Sequence, residues 1–532
     1  GQDKRTVAEA EFASEMRLSP DGNYVAFINQ FQLHVAARSQ FGAGIDLDAA
    51  KPAFAVRRAS KVGATYIAWS PDSESISWSV GAEFKTANIN TLMNGDYATP
   101  ATGNNLSMQV AHAIPNTAVA LTNARVITMN DERAVIENAT VLIKGNRIES
   151  IARGTAVPED YTEIDLAGKT IMPGIIDAHA HGPYAGDDII PQQNWNLLAH
   201  LALGVTTVHN PSSSAKSAFA AAEYARTDRI LGPRIFSTGE IVYGAKSTSW
   251  APIDNLDDAL AHVRRLAAQG AISVKNYNQP RREQRQQVIE AARQEGLISV
   301  AEGGSLYQLD MSMIADGITG IEHNVPTLKM YDDVHQFWRQ SGAGYTPTLV
   351  VTYGGLTSED YFYQNTEVWK HPILSNFVPP SQLQARSVRR VTAPEEDYRD
   401  DDSAAAAKIL MDAGIMVNIG AHGQREGLAS HWEMWSFARG GFSPMEALAT
   451  ATINPARHLG MDKDIGSLEA GKLADLVIVD ANPLDDIRNT DRISHVMING
   501  RLYRAGDLSE EVTGTATLSL FHWQTTPQGA IR

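Results

Sequence analysis

The sequence predicts an α/β protein with a (β/α)₈ TIM barrel, a small composite β-sandwich built from both flanks of the barrel, and an N-terminal partial β-propeller-like all-β region. Three observations predict this fold. Short apolar runs alternate with helical stretches in the central part of the chain, β-type runs lie on both sides of it, and a repeated strand-forming unit precedes it. Counting eight runs favours a barrel over an open doubly wound sheet. No Gly-rich dinucleotide or P-loop fingerprint follows any of them.

A chain of 532 residues is long enough for several domains. The predicted boundaries are 1–95 for the propeller-like region, 96–117 for a linker, 118–170 and 461–504 for the two parts of the sandwich, 171–460 for the barrel, and 505–532 for a C-terminal tail.

Composition excludes several classes of function. The chain has 45 Lys and Arg against 61 Asp and Glu, a formal net charge of −16, so we expect no nucleic-acid partner. It has no cysteine, which excludes disulfides, thiolate metal sites and cysteine nucleophiles. No apolar run approaches the ~20 residues that cross a bilayer, so we expect no membrane span. We expect a small-molecule substrate as a partner.

The propeller-like region carries a repeat. Leu18–Gly22 and Trp69–Ser73 each contain Ser-Pro-Asp, and each leads into an alternating strand. This motif resembles the blades of Tol-type β-propellers. A propeller closes with about four to eight blades, and about two are visible, so we expect further blades upstream of this chain. The alternative is a small irregular β-extension.

The sandwich and the barrel are predicted from apolar runs. The sandwich runs are Ala120–Met129, Thr140–Lys144, Arg147–Ile151, Leu476–Val479 and His495–Ile498, with turns at Gly145-Asn146 and Asn499-Gly500. The barrel runs are Ile171–Ile176, Gly204–Val208, Arg234–Ser237, Ala271–Lys275, Leu297–Ala301, Gly320–Glu322, Tyr345–Val351 and Ile415–Gly420. Between them, Asn255–Gln269 has apolar residues at helical spacing and a stop at Gly270.

Ligand-capable side chains stand at the ends of these barrel runs. His179 and His181 follow the first run, and their spacing places both imidazoles on one face of an extended chain. Four more groups follow later runs: Lys275, Glu302, His323 and His422. Because the carboxyl ends of barrel strands share one mouth, we expect these six groups to converge on a divalent ion.

Two longer stretches carry a family resemblance. Met172–His181 reads MPGIIDAHAH, and the text TINPAR at Thr452–Arg457 is followed by GSLEAGKLADL at Gly466–Leu476. With these motifs the chain resembles the amidohydrolase superfamily over about Ala118–Arg504. With the propeller-like start it is most similar to the periplasmic group that fuses a Tol-type propeller to an amidohydrolase domain, which implies a periplasmic or secreted protein, with the cytoplasm as the alternative. We also expect a homo-oligomer.

The resemblance implies roles for single residues. His179 and His181 would bind a first metal, Lys275 would be carbamylated and bridge two metals, and His323 would bind the second. Two positions depart from the family pattern: Glu302 stands where a histidine is usual, and His422 where an aspartate is usual. The exchange leaves the ligand inventory and its net charge unchanged. We therefore expect one or two divalent ions, zinc first, with manganese or iron as alternatives.

Catalytic roles follow from metal chemistry. A divalent ion lowers the pKa of water and polarises a carbonyl, so no Ser or Cys nucleophile is needed. His422 or Glu302 would then act as the base, or neither, and Asp177 would orient an imidazole. Candidate substrate-binding groups are His209, Tyr243, Tyr277 and Tyr353.

Alternatives stay open for several residues. His209 is equally well explained as a core residue, and Lys275 as an ordinary salt-bridge lysine. Glu302 and His422 could line the pocket of a one-metal centre. The long segment 353–402, with its aromatic residues and arginines, predicts either a lid over the site or a surface excursion.

The predicted function is metal-dependent hydrolysis of an amide or peptide-like C–N bond, with a dipeptide or N-acyl amino acid as substrate. The alternative within enzymes is an esterase, lactonase or phosphotriesterase that uses the same activated water. The alternative outside enzymes is a periplasmic binding module with a degenerate metal site.

Overall fold

The computed structural model describes residues 6–38, 44–47, 55–95, 102–182, 184–185, 189–303, 306–387, 389–514 and 518–525. The chain divides into two compact units. The first comprises residues 1–110, 214–216 and 238–299, and the second comprises 111–213, 217–237 and 300–532. The first unit therefore joins the propeller-like region to a part of the predicted barrel.

The N-terminal part of the first unit contains two four-stranded antiparallel sheets. The first sheet consists of Ala13–Leu18, Tyr24–Asn29, Gln32–Ala37 and Val56–Arg58, and the second of Thr65–Trp69, Ser75–Val80, Glu83–Asn88 and Thr102–Asn105. A two-stranded parallel pair, Ala8–Glu9 with Ile45–Asp46, and the helix Ile89–Asn94 complete this part.

The predicted repeat occupies the same place in both sheets. Each Ser-Pro-Asp turn joins the first two strands of its sheet, and in each the serine hydroxyl donates to the aspartate two residues later, at 2.6 Å. The two turns touch, because the Asp21 amide donates to the Ser73 hydroxyl at 3.0 Å. One apolar core serves both sheets, with Val35 from the first and Trp78 from the second. Whether these sheets are propeller blades stays a prediction.

The rest of the first unit supplies barrel-type elements. These are the parallel strands Val242–Tyr243 and Ser273–Tyr277, and the helices Leu256–Gln269 and Arg282–Gln294. The helix predicted over Asn255–Gln269 is confirmed. Asn255 caps it by accepting from the Asp258 amide at 3.1 Å, and Gly270 ends it at φ +114°.

The second unit contains one eight-stranded sheet built from both flanks of the predicted barrel. Its strands are Ala118–Ile127, Val135–Lys144, Arg147–Arg153, Thr162–Asp165, Thr170–Pro173, Leu476–Val479, Ile493–Ile498 and Arg501–Arg504. Thr170–Pro173 pairs antiparallel with Leu476–Val479, which joins the two flanks. Valine, isoleucine and leucine side chains of both flanks form its core.

Shorter parallel strands of the second unit carry the candidate site. Ile175–Asp177, Val205–Asn210 and Arg234–Ser237 form one sheet. Ile298–Glu302, which enters this unit at Val300, pairs with Gly320–Glu322, and that strand pairs with Gly344–Thr346. The closure of these strands into a barrel stays a prediction.

Helices of the second unit follow the strands. The α-helices are Trp195–Ala202, Ala215–Arg226, Tyr307–Ala315, Asp332–Ser341, Ser358–Asn365, Leu374–Phe377, Pro380–Leu383, Asp400–Asp412, Leu428–Arg439, Pro444–Thr450, Ile453–His458 and His522–Thr525; the 3₁₀ turns are Leu349–Val351, Val368–Lys370, Glu395–Asp397 and Ile487–Asp491. Within the described ranges, no helix combines the length and the apolar character that crossing a bilayer requires.

Three predicted barrel strands differ in the structure. Tyr345–Val351 is shorter than predicted, because the strand is Gly344–Thr346 and Leu349–Val351 is a 3₁₀ turn. The first, Ile171–Ile176, is divided at Gly174: the residues before it belong to the flanking sheet, and those after it to the parallel strands. A Cβ at Gly174 would overlap the Thr206 side chain, so this close passage requires glycine. The eighth, Ile415–Gly420, is reduced to a bridge between Val417 and Tyr345.

Candidate metal centre

Three histidines of the second unit form a group that can hold a metal ion. The ligating atoms of His179, His181 and His422 all lie within 4.8 Å of one another. His179 Nε2 and His181 Nε2 are 3.1 Å apart. Two nitrogens bound to one tetrahedral ion at 2.0–2.1 Å would be separated by about 3.3 Å. The donor set and its spacing therefore fit a divalent ion.

His323 lies beside this group. Its ring centroid is 5.1 Å from that of His179 and 5.1 Å from that of His422. The structure thus brings together the four histidines that the strand-end argument predicted.

Each of three imidazoles is held at Nδ1 by a partner from a different strand or strand end. His179 Nδ1 pairs with the buried carboxylate of Glu322, His181 Nδ1 lies 2.9 Å from Asn210 Oδ1, and His323 Nδ1 lies 2.7 Å from Thr348 Oγ1. A partner at Nδ1 fixes the ring orientation and leaves Nε2 as the ligating nitrogen. The cluster is therefore preorganised for metal binding.

Asp177 holds backbone amides in this structure, and its predicted role in orienting an imidazole stays a prediction. Its carboxylate accepts from the amides of His179 and Ala421, both at 3.1 Å, and from the Ser430 hydroxyl at 2.9 Å. Burial raises the pKa of Asp177, against the lowering effect of these hydrogen bonds. Asp177 thus ties together the two backbone segments that carry the histidine trio, while Glu322 holds an imidazole.

A second buried carboxyl group also holds backbone rather than a ring. Glu433 accepts from the Val350 amide at 2.7 Å and from the Gly420 amide at 3.3 Å. Burial raises the pKa of Glu433 well above its usual range. Glu433 therefore links the segment after the strand Gly344–Thr346 to the segment before His422.

The backbone is strained where the ligand-bearing segments end. His323 has φ +69°, Thr348 φ +49° and His422 φ +57°. Non-glycine residues rarely adopt this left-handed conformation, and functional sites are where it concentrates. The His422 amide donates to the His179 carbonyl at 2.6 Å. A Cβ at Gly423 would overlap the His181 carbonyl, so glycine there permits the close approach.

Glu302 lies at the edge of the histidine cluster. One carboxylate oxygen is 3.2 Å from His323 Nε2 and accepts from the Tyr353 hydroxyl at 3.3 Å. The Tyr353 ring stacks on His323 with centroids 5.1 Å apart, and it is 41% exposed. A carboxylate and a phenol, which can both exchange protons, thus stand next to the histidine cluster.

The roles of the remaining candidates stay predictions. His209 is buried, with Nδ1 3.0 Å from the Ala178 carbonyl oxygen, and a role in substrate binding stays a prediction. Lys275, Tyr243 and Tyr277 belong to the first unit. Lys275 is 2% exposed, its Nζ lies 5.4 Å from the Tyr277 ring centroid, and the two tyrosine rings meet edge to face at 5.4 Å. Metal bridging and carbamylation of Lys275 stay predictions.

The segment 353–402 uses much of its aromatic surface as core. Phe362 and Tyr363 are buried and pack on Trp432 of the helix Leu428–Arg439, at ring distances of 5.4 and 5.6 Å. Packing of this kind does not supply a mobile aromatic lid.

Sequence reasoning missed five residues of the site: Glu322, Asn210, Thr348, Ser430 and Glu433. Asn210 and Glu322 do stand at strand ends, so the rule that found the histidines would have found them too. Ser430 and Glu433 come from a helix, and a polar residue on a fully buried helix face carries no periodic signal.

Comparison with known proteins places this chain in a family. The profile of the Amidohydrolase family matches residues 170–503. A 5-methylthioadenosine/S-adenosylhomocysteine deaminase of Bacillus cereus (strain 03BB102) is 23% identical over 423 residues, which are 71% of this chain and 92% of that relative. An imidazolonepropionase of Arthrobacter sp. (strain FB24) is 38% identical over only 64 residues, 12% of this chain and 16% of that relative.

Solved structures show the same fold. A Xaa-Pro dipeptidase with bound methionine in its active site aligns with a TM-score of 0.56 and 21% identity, over 73% of this chain and 100% of that one. A putative prolidase from Bifidobacterium longum aligns with a TM-score of 0.54 and 23% identity, over 72% of this chain and 94% of that one.

Proposed function

The chain belongs to the amidohydrolase family, and from this premise we propose that it cleaves an amide or peptide-like C–N bond in a small substrate of dipeptide or N-acyl amino acid type. Membership makes it a hydrolase acting on C–N bonds. The observation that carries the proposal is the histidine trio, in which two rings are held at Nδ1 by Glu322 and Asn210.

His179, His181 and His422 are the residues that would hold a divalent ion. When bound, such an ion lowers the pKa of water to near neutrality and polarises the substrate carbonyl. Neutral imidazoles suit zinc first, and the neighbouring carboxylate also admits manganese or iron.

We assign the general base to Glu302 rather than to His422. Hydrolysis requires a proton to leave the attacking water and a proton to reach the departing nitrogen. Glu302 lies outside the trio and is reachable from the site, with 15% of its side chain exposed. It can take the first proton on a carboxylate oxygen and give it back to the amine, so it ends unchanged. His422 is needed as a ligand.

Tyr353 supports this assignment. Its hydroxyl donates to Glu302, and its stacking on His323 holds the ring in place. The phenol therefore orients the Glu302 carboxylate.

The substrate class is suggested by what the similar structures are called, a Xaa-Pro dipeptidase and a putative prolidase. Other relatives are named as deaminases, and a deaminase releases ammonia instead. Both reactions break a C–N bond with water, and the products tell them apart: an amino acid in one case and ammonia in the other.

The test is hydrolysis of a panel of dipeptides and N-acyl amino acids by the full chain, with zinc, manganese or iron(II) added. We expect release of a free amino acid, abolished in the His179→Ala/His181→Ala double variant. A matched control, His335→Ala/His371→Ala, removes two histidines of the same unit outside the cluster and should keep activity.

Other outcomes point to the alternatives. Cleavage of esters, lactones or phosphotriesters without any amide would overturn the substrate class and keep the metal chemistry. Less than one tightly bound divalent ion per chain, with no hydrolysis of any panel member, would indicate a binding module with a degenerate site.

A further inference from the structure

A small cavity of the second unit lies away from the metal centre, with a volume of about 70 Å³. Its walls come from the end of the helix Ala215–Arg226, from residues 228–236, and from the hairpin Ile498–Tyr503. A water needs about 10–15 Å³ in the same measure. The cavity therefore has room for roughly five water-sized groups, the size of a tetrahedral oxyanion.

The cavity is lined by an excess of cations. Arg226, Arg234 and Arg501 line it, against a single lining carboxylate, Asp228. This excess stands out in a chain whose formal net charge is −16. Guanidinium groups gathered around one space repel each other unless an anion compensates them.

The arginines differ in how well they are paired. Arg234 is satisfied, because it donates to both oxygens of Asp475 at 2.6 and 3.1 Å. Arg501 is not: its guanidinium lies 3.5 Å from a carboxylate oxygen of Asp228, and its buried Nε–H is among the groups of the described chain that lack a hydrogen-bond partner. Buried donors without a partner are rare and point to a missing acceptor.

Arg226 also retains donor capacity. Its contact with Glu223 is long, 3.8 Å, and that carboxylate is 72% exposed to water. The guanidinium lies 5.8 Å from the Phe236 ring, which holds it at the cavity wall. Two guanidinium groups with unused donors thus line the same cavity.

We propose that this cavity is a binding site for a small oxyanion, a phosphate or a carboxylate, with Arg501 and Arg226 as its donors. Charge-assisted hydrogen bonds from guanidinium to such oxygens are the strong kind. The site is separate from the metal centre. Arg234 begins a strand whose last residue, Ser237, pairs with Asn210, the partner of His181. Three residues of strand, roughly 10 Å, separate the two ends.

The test is isothermal titration of the full chain with inorganic phosphate at constant ionic strength, with chloride as the reference. Phosphate can also bind at a metal centre, so the titration is repeated in the His179→Ala/His181→Ala background. We expect phosphate to bind in both backgrounds. Arg501→Gln and Arg226→Gln should each weaken it about tenfold, the loss expected for one charge-assisted hydrogen bond.

Arg488→Gln removes an exposed arginine of the same unit outside the cavity and should leave phosphate affinity unchanged. If Arg501→Gln fails to fold, the more exposed Arg226→Gln carries the test alone. The proposal is overturned if no phosphate binds, if both arginine variants bind it like the parent, or if binding is lost with the two histidines. None of these results depends on the chain being a hydrolase.

Discussion

Replacement of Glu322 should weaken metal binding without unfolding the protein. Glu322 is fully buried, and its carboxylate holds Nδ1 of His179, which is also fully buried. A hydrogen bond to a charged group contributes about 1.5–3 kcal/mol, and a neutral one about 1 kcal/mol. Glu322→Gln keeps the volume and an acceptor oxygen but loses the charge, so it should cost about 1 kcal/mol, or roughly fivefold in metal affinity.

Glu322→Ala should cost more, because the Nδ1–H is then left without an acceptor and the ring can rotate. Loss of a carboxylate that orients a metal-binding histidine usually lowers affinity by about 10- to 100-fold, and we expect the upper part of that range. The assay is competition for zinc against a chromophoric chelator, with circular dichroism of the metal-free variants to show that they are folded.

The matched control is Glu510→Gln, a second buried glutamate of the same unit that accepts from the Thr513 amide at 2.8 Å. It should leave zinc affinity unchanged. If both Glu322 variants bind zinc as tightly as the wild-type chain, Glu322 does not hold a metal ligand and the assignment of His179 is wrong.

Three further predictions concern catalysis, packing and pH. Tyr353→Phe should lower kcat about tenfold, because the hydrogen bond to Glu302 is lost. The zinc content should not change, because Tyr353 holds none of the nitrogens of the histidine trio. Steady-state kinetics and metal analysis of the same variant check both expectations. Gly174→Ala should lower Tm by several degrees or prevent folding, because the new Cβ would overlap the Thr206 side chain. Adding Thr206→Ala should restore part of the lost stability. Thermal unfolding of the single and double variants measures both effects. His431 is fully buried, and burial lowers its pKa to about 4. Because the unfolded chain then binds a proton more readily than the folded one, the free energy of unfolding should fall as the pH decreases from about 6.5 to about 4. His431→Gln should flatten that slope in denaturant melts, and an unchanged slope would contradict it.

Much of the site could be predicted because its chemistry is local in sequence. His179 and His181 share a face through the two-residue period of an extended chain, and the structure brings their Nε2 atoms to 3.1 Å. His323 and His422 were found because carboxyl ends of parallel strands meet on one side, and both rings lie in the cluster. The helix ending at Gly270 was predictable for a similar reason, since its cap and its stop are neighbours in the chain.

Other features could not be predicted because they depend on segments distant in sequence. The hydrogen bonds of Asp177 are an example. Its carboxylate accepts from the amides of His179 and Ala421, and these partners depend on how two segments distant in sequence pack together. The predicted first barrel strand, Ile171–Ile176, is too long, because this segment is uniformly apolar and shows no boundary. Only the contact of Gly174 with Thr206 shows where the chain passes from one sheet to another.

By itself the sequence determined the residue types of the metal centre, the family, and the sheet made from both flanks, because each is written in spacing and local pattern. Only the tertiary structure decided which carboxylates hold imidazoles and which hold backbone. It also decided that Glu302 stands beside His323 and Tyr353, and that an arginine-lined cavity exists at the far end of a strand. These features depend on contacts between segments that are distant in sequence. Burial and hydrogen bonding bring such segments together, and no local sequence pattern records it.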